Sequence, residues 1–298
     1  MACLVYPLPQ SPQYARALQA LGLPVRLIRQ TRGGQDLLSW QIQSRQLRGL
    51  GRIDLISRGP VVREGASAAE WLSRFGHWHD GRPLLLNAVG IDACDLRVAG
   101  FFPVFTASTL AMLPLGAPEA MRKAQHPKWR NRLRRAEGLG LVARMRAFDP
   151  DHWLMAADAR QARARGYRNL PLRVVAAFAA ANPGDALIWE VRSVDGPLAA
   201  VLILRHGPMA TWQTGHSTPA GRKANAMNVA LWSAMAWLAE ARHDCLDLGT
   251  VNTDDAPGLA RFKLGTGAHA QRLGGSWLHL PPLAPLARFL PVDNSRAA

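Results

Sequence analysis

The sequence has few cysteines, no long apolar run and no recognisable secretion signal. Cys3, Cys94 and Cys245 are odd in number and far apart, which predicts neither a disulfide framework nor a metal site and favours a reducing cytoplasm. No stretch of about 18 apolar residues occurs, so no membrane-spanning helix is predicted. The first residues lack a charged segment followed by an unbroken apolar core, which argues against a signal peptide.

Acidic residues are also scarce. The chain has 36 Lys and Arg against 21 Asp and Glu, a formal net charge of +15. A small protein with this balance attracts polyanions, whether nucleic acid, anionic lipid or phosphorylated substrates. The densest basic run, residues 122–135, holds seven Lys or Arg and no acid. This run predicts a polyanion-contacting segment; the alternative is a solvated helix face. Its candidate contact residues are Lys128, Arg130, Arg132, Arg134 and Arg135.

Hydrophobic periodicity and turn signals predict two domains of ordinary size. We expect an N-terminal domain over 1–147, with a basic helix over 118–137, a C-terminal domain over 148–280, and a Pro-rich tail over 281–298. The second half indicates two helices, three antiparallel strands with a turn at Asp195-Gly196, then helix, strand, short helix and strand. This order predicts an α+β fold with mixed, mostly antiparallel sheets.

The stretch from Asn225 to Gly275 holds the residues that best suggest chemistry. A long amphipathic helix leads into a buried strand that carries Asp247, and a polar loop is followed by a turn containing Lys263. A cation held on a short turn beside a strand end is suited to stabilising a developing oxyanion. We therefore predict Lys263 and Asp247 as catalytic candidates, although a surface lysine and a structural aspartate are the simpler interpretations.

Two short patterns that can carry chemistry are incomplete. Residues 215–219 nearly match a nucleophile elbow, but the fifth position is Pro219 where glycine is required. His77 and His79 are two residues apart, so they lie on different faces of a helix and do not predict a metal pair. Neither a serine hydrolase nor a metal enzyme is predicted.

The order of elements in the second half resembles the GNAT acyltransferase fold, and four strings narrow the resemblance. They are 56–60 (ISRGP), 128–136 (KWRNRLRRA), 246–249 (LDLG) and 258–263 (GLARFK). Together, over roughly residues 10 to 280, they resemble the Fem-type peptidyltransferases. That family has two tandem GNAT-like domains and moves an aminoacyl group from tRNA to a peptidoglycan precursor.

The resemblance implies roles for individual residues. Lys263 would stabilise charge at the ester carbonyl, and Phe262, with its neighbour Arg261, would meet the donor. Arg58, in the first string, would join the basic helix in binding the acceptor or a polyanion. The sequence departs from the family after this turn, because Gly265-Thr266-Gly267 stands where a further aromatic is common.

The identity of the acyl donor stays open. GNAT folds commonly hold acetyl-CoA at a Gly-rich turn before a helix, and the matching segment here, 221–226, keeps only the first glycine. Arg222, Lys223 and Asn225 are its donor-binding candidates. The degraded turn favours aminoacyl-tRNA over an acyl-CoA co-substrate, and no tightly bound cofactor is expected. A third alternative is a non-catalytic module that binds RNA or anionic lipid.

Overall fold

A computed structural model describes residues 6–32, 35–47, 51–63 and 66–290. Its helices are α1 Pro12–Ala20, α2 Ala68–Ser73, α3 Phe75–Trp78, α4 Ala93–Val98, α5 Pro118–Ala124, α6 Pro127–Gly138, α7 Trp153–Arg165, α8 Leu172–Ala181, α9 Pro219–Lys223, α10 Ala226–Glu240 and α11 Pro257–Leu264. Short 3₁₀ helices cover Leu8–Gln10 and Ala284–Phe289. Its strands are β1 Val25–Arg32, β2 Gln35–Leu47, β3 Gly51–Gly59, β4 Val61–Val62, β5 Leu84–Ala88, β6 Phe101–Phe105, β7 Thr109–Pro114, β8 Ala143–Ala147, β9 Ala186–Ser193, β10 Gly196–His206, β11 Met209–Ser217, β12 Cys245–Thr250, β13 His269–Arg272 and β14 Ser276–His279.

The chain forms two compact units, each discontinuous in sequence. Unit 1 contains Met1–Leu21 and Thr109–Gln271, and unit 2 contains Gly22–Ser108 and Arg272–Ala298. This division differs from the predicted boundary at residue 147. The reason is strand pairing: β7 pairs antiparallel with β12, whereas β14 pairs with β5 and β6. The basic segment therefore belongs to unit 1, and the chain after β14 belongs to unit 2.

Both sheets are mixed and mostly antiparallel, which confirms the predicted α+β class. Unit 1 has the strand order β13-β7-β12-β11-β10-β9-β8, with β11 and β12 parallel. Unit 2 has the order β1-β2-β3-β5-β14-β6, with β4 beside β2 and with β3 and β5 parallel. The predicted hairpin at Asp195-Gly196 joins β9 to β10.

The core of unit 1 is built on the central strand β10. Residues 198–204 of this strand are buried, so both faces of the sheet are covered. The helix α10 contributes eight buried residues and packs on β9 and β10. A continuous apolar strand of this kind is typical of the middle of a sheet covered on both sides.

The basic segment is two helices rather than the single helix predicted over 118–137. The break falls at Gln125 and His126, whose ψ angles are 141° and 138°. Pro127 causes it, because the proline ring disfavours helical backbone at the preceding residue. His126 then becomes the N-cap of α6, and its Nδ1 accepts a hydrogen bond from the Lys128 amide at 3.2 Å.

Side chains cap two other helices. Ser67 caps α2, since its Oγ accepts from the Glu70 amide at 3.2 Å, and the helix is interrupted at Arg74 and continues as α3. The N-cap of α7 is His152. In the described chain, no helix combines the length and apolar character needed to cross a bilayer.

Candidate active site

The sheet of unit 1 opens between two neighbouring strands. The parallel strands β11 and β12 pair from Met209 and Cys245 to Thr211 and Asp247, and no further ladder pair joins them in the described chain. A bulge follows at once in β11, because Trp212 and Thr214 oppose consecutive residues of β10. A bulge bends and twists its strand. The far half of β11 therefore diverges from β12.

A cavity of about 1370 Å³ occupies this opening within unit 1. It is lined by the far ends of β11 and β12, the segment 221–228, the helix α11, and the end of α7 with the residues that follow it. Strand edges that lose their neighbour present backbone N–H and C=O groups, which suit a ligand containing amides. The cavity thus combines a large volume with the ends of two strands that no longer pair with each other.

Lys263 is a buried cation at this opening. It lies on α11, is 7% exposed, and lines the cavity. Its Nζ donates a hydrogen bond to the Thr250 carbonyl at 2.8 Å and lies 5.7 Å from the centre of the Trp212 ring. One donor bond leaves capacity on an ammonium group that can make three. The geometry therefore suits an ammonium that receives a second acceptor from a substrate.

Burial lowers the pKa of Lys263 from 10.5 to about 8, and the negative charge of Asp247 opposes this shift. Asp247 is 1% exposed, and its Oδ1 accepts from the Gly249 amide at 2.7 Å. It is not part of the cavity lining as the described residues form it. Its position favours electrostatic support of Lys263 over direct proton abstraction from a substrate.

Phe262 also lines the cavity, between two tryptophans. Its ring centre is 5.8 Å from that of Trp129 and 6.1 Å from that of Trp212, which it meets edge-on. Gly265 closes the turn against Trp129, since a Cβ here would lie 2.8 Å from the Arg261 carbonyl and 3.0 Å from the indole. A larger residue would not fit at Gly265, which explains why this turn lacks the aromatic residue that is common in the family.

The segment 221–228 meets the cavity through some of the predicted residues. Arg222 and Asn225 line it, whereas Lys223 is exposed and lies outside the lining. Gly221 is fixed by packing, because a Cβ would lie within 2 Å of the Leu198 carbonyl oxygen. A residue that the sequence did not single out, Asn228, is 3% exposed, lines the cavity, and has an Nδ2 group with no partner among the described residues.

The basic residues predicted to act together are dispersed. Of the α6 candidates, only Arg132 lines the cavity, while Lys128, Arg134 and Arg135 are exposed outside the lining. Arg130 is half-buried and donates to the Lys123 carbonyl at 3.4 Å. The α6 face opposite the cations buries Trp129, Leu133 and Ala136. Two of the remaining candidates lie elsewhere: Arg261 is exposed and donates to the Pro257 carbonyl, and Arg58 belongs to β3 of unit 2.

Arg165 and Arg168 also line the cavity, although neither was predicted as a site residue. The run of arginines that contains them could have indicated a second basic segment. With Arg132, Arg222 and Lys263 they make five Lys or Arg, against the two carboxylates Asp158 and Asp255. The cavity is therefore strongly electropositive, as a site for a polyanion requires.

One known protein family matches the part of the chain that contains Lys263. Residues 122–264, which contain α6, α10 and Lys263, match the family model for the acetyltransferase (GNAT) domain. These residues are similar in sequence to a GNAT acetyltransferase domain. The predicted enzyme class, an acyltransferase, is confirmed at the level of this domain.

Solved structures extend the likeness to the whole chain. FemX is 15% identical with a TM-score of 0.73, covering 95% of this chain and 94% of that chain. The C-terminal domain of a protein described as a lysylphosphatidylglycerol synthetase from Agrobacterium fabrum is 14% identical with a TM-score of 0.54, covering 95% and 92%. L-PGS from Bacillus licheniformis is 12% identical with a TM-score of 0.53, covering 96% and 97%. These structural similarities establish the fold. They confirm that the chain resembles the Fem type in its fold. No curated protein sequence matches the chain.

Proposed function

We propose that this chain is a cytoplasmic N-acyltransferase that moves an aminoacyl group from aminoacyl-tRNA to an amine acceptor. The observation that carries the proposal is the buried ammonium of Lys263, which lines the cavity of a GNAT domain and retains hydrogen-bonding capacity. A buried, pre-oriented cation stabilises charge that develops in a transition state more than it stabilises a neutral ester.

The chemistry needs only a few protein groups. The amine nitrogen attacks the ester carbonyl carbon, and the carbonyl oxygen gains negative charge beside Lys263. As the intermediate collapses, the C–O bond of the ester breaks and the amide C–N bond remains. The departing ribose oxygen takes up a proton, and the former amine loses one. Asp247 would hold Lys263 charged, since its negative charge raises the lysine pKa.

The size and charge of the cavity favour a large anionic donor. Its volume of about 1370 Å³ exceeds the roughly 300–1,000 Å³ of ordinary small-molecule sites. Arg132, Arg165, Arg168 and Arg222 supply cations for phosphate groups, while Phe262 and Trp212 supply aromatic surfaces on which a terminal base can stack. The acceptor that the Fem-type resemblance suggests is a peptidoglycan precursor, whose amides are suited to pairing with backbone groups where β11 and β12 separate.

A second candidate is an acyl-CoA donor with the same reaction, and the start of α10 is equally compatible with it. The helix α10 begins without a side-chain cap at Asn225, and Arg222 and the Asn228 Nδ2 group stand beside this end. Uncapped amides of a helix N-terminus bind phosphate groups well. A CoA pyrophosphate and a tRNA phosphodiester both meet this requirement.

Transfer assays with two labelled donors test the proposal. The full chain is incubated with tRNA carrying a radiolabelled amino acid, or with radiolabelled acetyl-CoA. The acceptor is either a precursor peptide with a free lysine amine or vesicles of phosphatidylglycerol. We expect label from tRNA to enter the peptide as an alkali-stable amide. Transfer from acetyl-CoA alone would select the second candidate. A base-labile lipid ester would replace the proposed amine acceptor by a phosphatidylglycerol hydroxyl, the lipid in the name of the Agrobacterium fabrum synthetase. Label that stays on both donors with every acceptor would overturn the proposal.

A further inference from the structure

The carboxylate of Asp158 stands out in a cavity whose other charges are mostly positive. Asp158 lies on α7, is half-buried, and lines the cavity. It was not predicted as a site residue, because nothing in the local sequence distinguishes it from the other charged positions of α7. The second carboxylate in the lining, Asp255, is engaged by the Asn252 side chain at 2.7 Å and belongs to a loop turn.

Neutral donors hold the Asp158 carboxylate in place. Its Oδ1 accepts from the Thr214 hydroxyl at 2.7 Å and from the Asn169 Nδ2 at 2.7 Å, and Asn169 also reaches Oδ2 at 2.8 Å. Thr214 lies on the diverging part of β11, two residues after Trp212, whose ring lies near Lys263. The carboxylate is thus fixed on the same strand segment that leads to the predicted catalytic lysine.

These bonds orient the carboxylate without neutralising it. Among the described residues, no nitrogen of Lys, Arg or His lies within 4.0 Å of either oxygen of Asp158. The Thr214 hydroxyl and the Asn169 amide make the three hydrogen bonds, and the Tyr167 hydroxyl also interacts with the carboxylate, but none of these groups is cationic. His216 lines the same cavity, and its pKa lies below 6.5 because desolvation, Arg222 and Arg160 lower it more than the charge of Asp158 raises it.

We propose that Asp158 is the recognition group for a primary ammonium of the substrate, so that the enzyme selects a cationic amine. An ammonium group donates three hydrogen bonds and carries the charge that this carboxylate lacks as a partner. In a cavity with five Lys or Arg, a fixed unpaired carboxylate is the feature that admits a cation rather than repelling it. The inference rests on the proposed function, in which two groups have this chemistry: the α-amine of the aminoacyl donor and the amine of the acceptor before it loses its proton.

Binding measurements on the full chain test this without requiring turnover. The donor probe is an adenosine carrying an alanyl group in a stable 3′-amide, with its α-amine free or acetylated. The acceptor probe is a lysyl dipeptide, with its side-chain amine free or acetylated. Calorimetry on wild type should show one free amine bound roughly 10- to 100-fold more tightly than its acetylated form, as expected for a charged hydrogen bond. The pair that shows this difference identifies the source of the ammonium.

Asp158→Asn should abolish that preference while leaving binding of the acetylated probe unchanged. The matched control is Asp255→Asn, which removes the other lining carboxylate and should retain the preference. If Asp158→Asn fails to fold, Asp158→Ser provides a smaller side chain that keeps a hydroxyl for Asn169. Equal binding of free and acetylated forms by wild type, or a preference that survives in the Asp158 variants, would overturn the inference. Failure of acyl transfer alone, with the preference intact, would count against the proposed function and not against this site.

Discussion

Each unit builds a seven-stranded sheet that contains a parallel junction, β11 with β12 in unit 1 and β3 with β5 in unit 2, and these two junctions end differently. In unit 1, pairing of β11 with β12 stops at Thr211 and Asp247, although both strands continue. In unit 2, pairing of β3 with β5 resumes after an irregularity and reaches Gly59 and Ala88, the last residues of both strands. The first junction opens into a cavity that holds Lys263, and the second stays closed to its end.

The side chains around the unit 2 junction explain the contrast. Trp71, Trp78, Trp40, Phe75 and Phe101 form an aromatic cluster with ring centres 5.0 to 6.2 Å apart. Large rings packed at such distances contribute more than their buried area alone. Both units have an apolar core, but the parallel junction borders a cavity in unit 1 and packed aromatic side chains in unit 2. A candidate site therefore depends on where strand pairing ends and not on the fold itself.

The largest expected effect comes from disrupting the aromatic cluster beside the closed junction of unit 2. Trp71 is 0% exposed, and Trp71→Ala should lower the free energy of unfolding of unit 2 by about 3–5 kcal/mol. Hydrogen exchange can follow the two units separately. Val98→Ala, at an exposed position of the same unit, is the control. Equal protection in both variants would show that the cluster does not hold the junction closed.

The second largest expected effect is on the rate of acyl transfer, after a change of Lys263 at the open junction of unit 1. Lys263→Met keeps a similar length but removes the cation, so the rate of acyl transfer should fall by about 10²–10³. The free energy of unfolding should not decrease, because a desolvated charge is lost. Arg173→Ala removes an exposed cation of α8 that does not line the cavity, and it should leave the rate unchanged. A rate that falls equally in both variants would mean that net charge, rather than the lysine, matters.

The lowered pKa of Lys263 gives the open side a pH dependence with a defined sign. In the proposed mechanism its cation is the acting form, so kcat should fall as the pH rises through about 8, approaching tenfold per pH unit. Stability should move in the opposite direction. Because the folded pKa of about 8 lies below the ordinary 10.5, the charged lysine destabilises the fold fully below pH 8, and this cost disappears as the pH rises toward 10.5.

A rate profile from about pH 6.5 to about pH 9.5 measures the first part of this prediction. Lys263→Arg is the sharpest control, because a guanidinium stays charged over this range. The high-pH decline should therefore be lost in that variant, even if its overall rate is lower. A decline that persists unchanged in Lys263→Arg would assign the titration to another group.

The sequence predicted the elements whose signals are local. Alternation and turn residues gave β9, β10 and β11, and one string led to Lys263 and Phe262. It did not predict the Asp158 contacts, because Thr214 is 56 positions away and reaches the carboxylate only through the packing of α7 on β11. The unit boundaries were missed for the same reason, since β7 and β14 find partners far along the chain.

The smallest expected effect separates two arginines on one helix. Arg132 lines the cavity, whereas Arg135 is exposed outside it. If the open junction receives a tRNA, Arg132→Ala should reduce the slope of log affinity against log salt concentration by about 1, the loss of one phosphate contact. Arg135→Ala should leave the slope unchanged, although both variants lose the same charge. Equal changes in both would mean that α6 attracts the nucleic acid only through its overall charge, and the cavity would then play no selective part in donor binding.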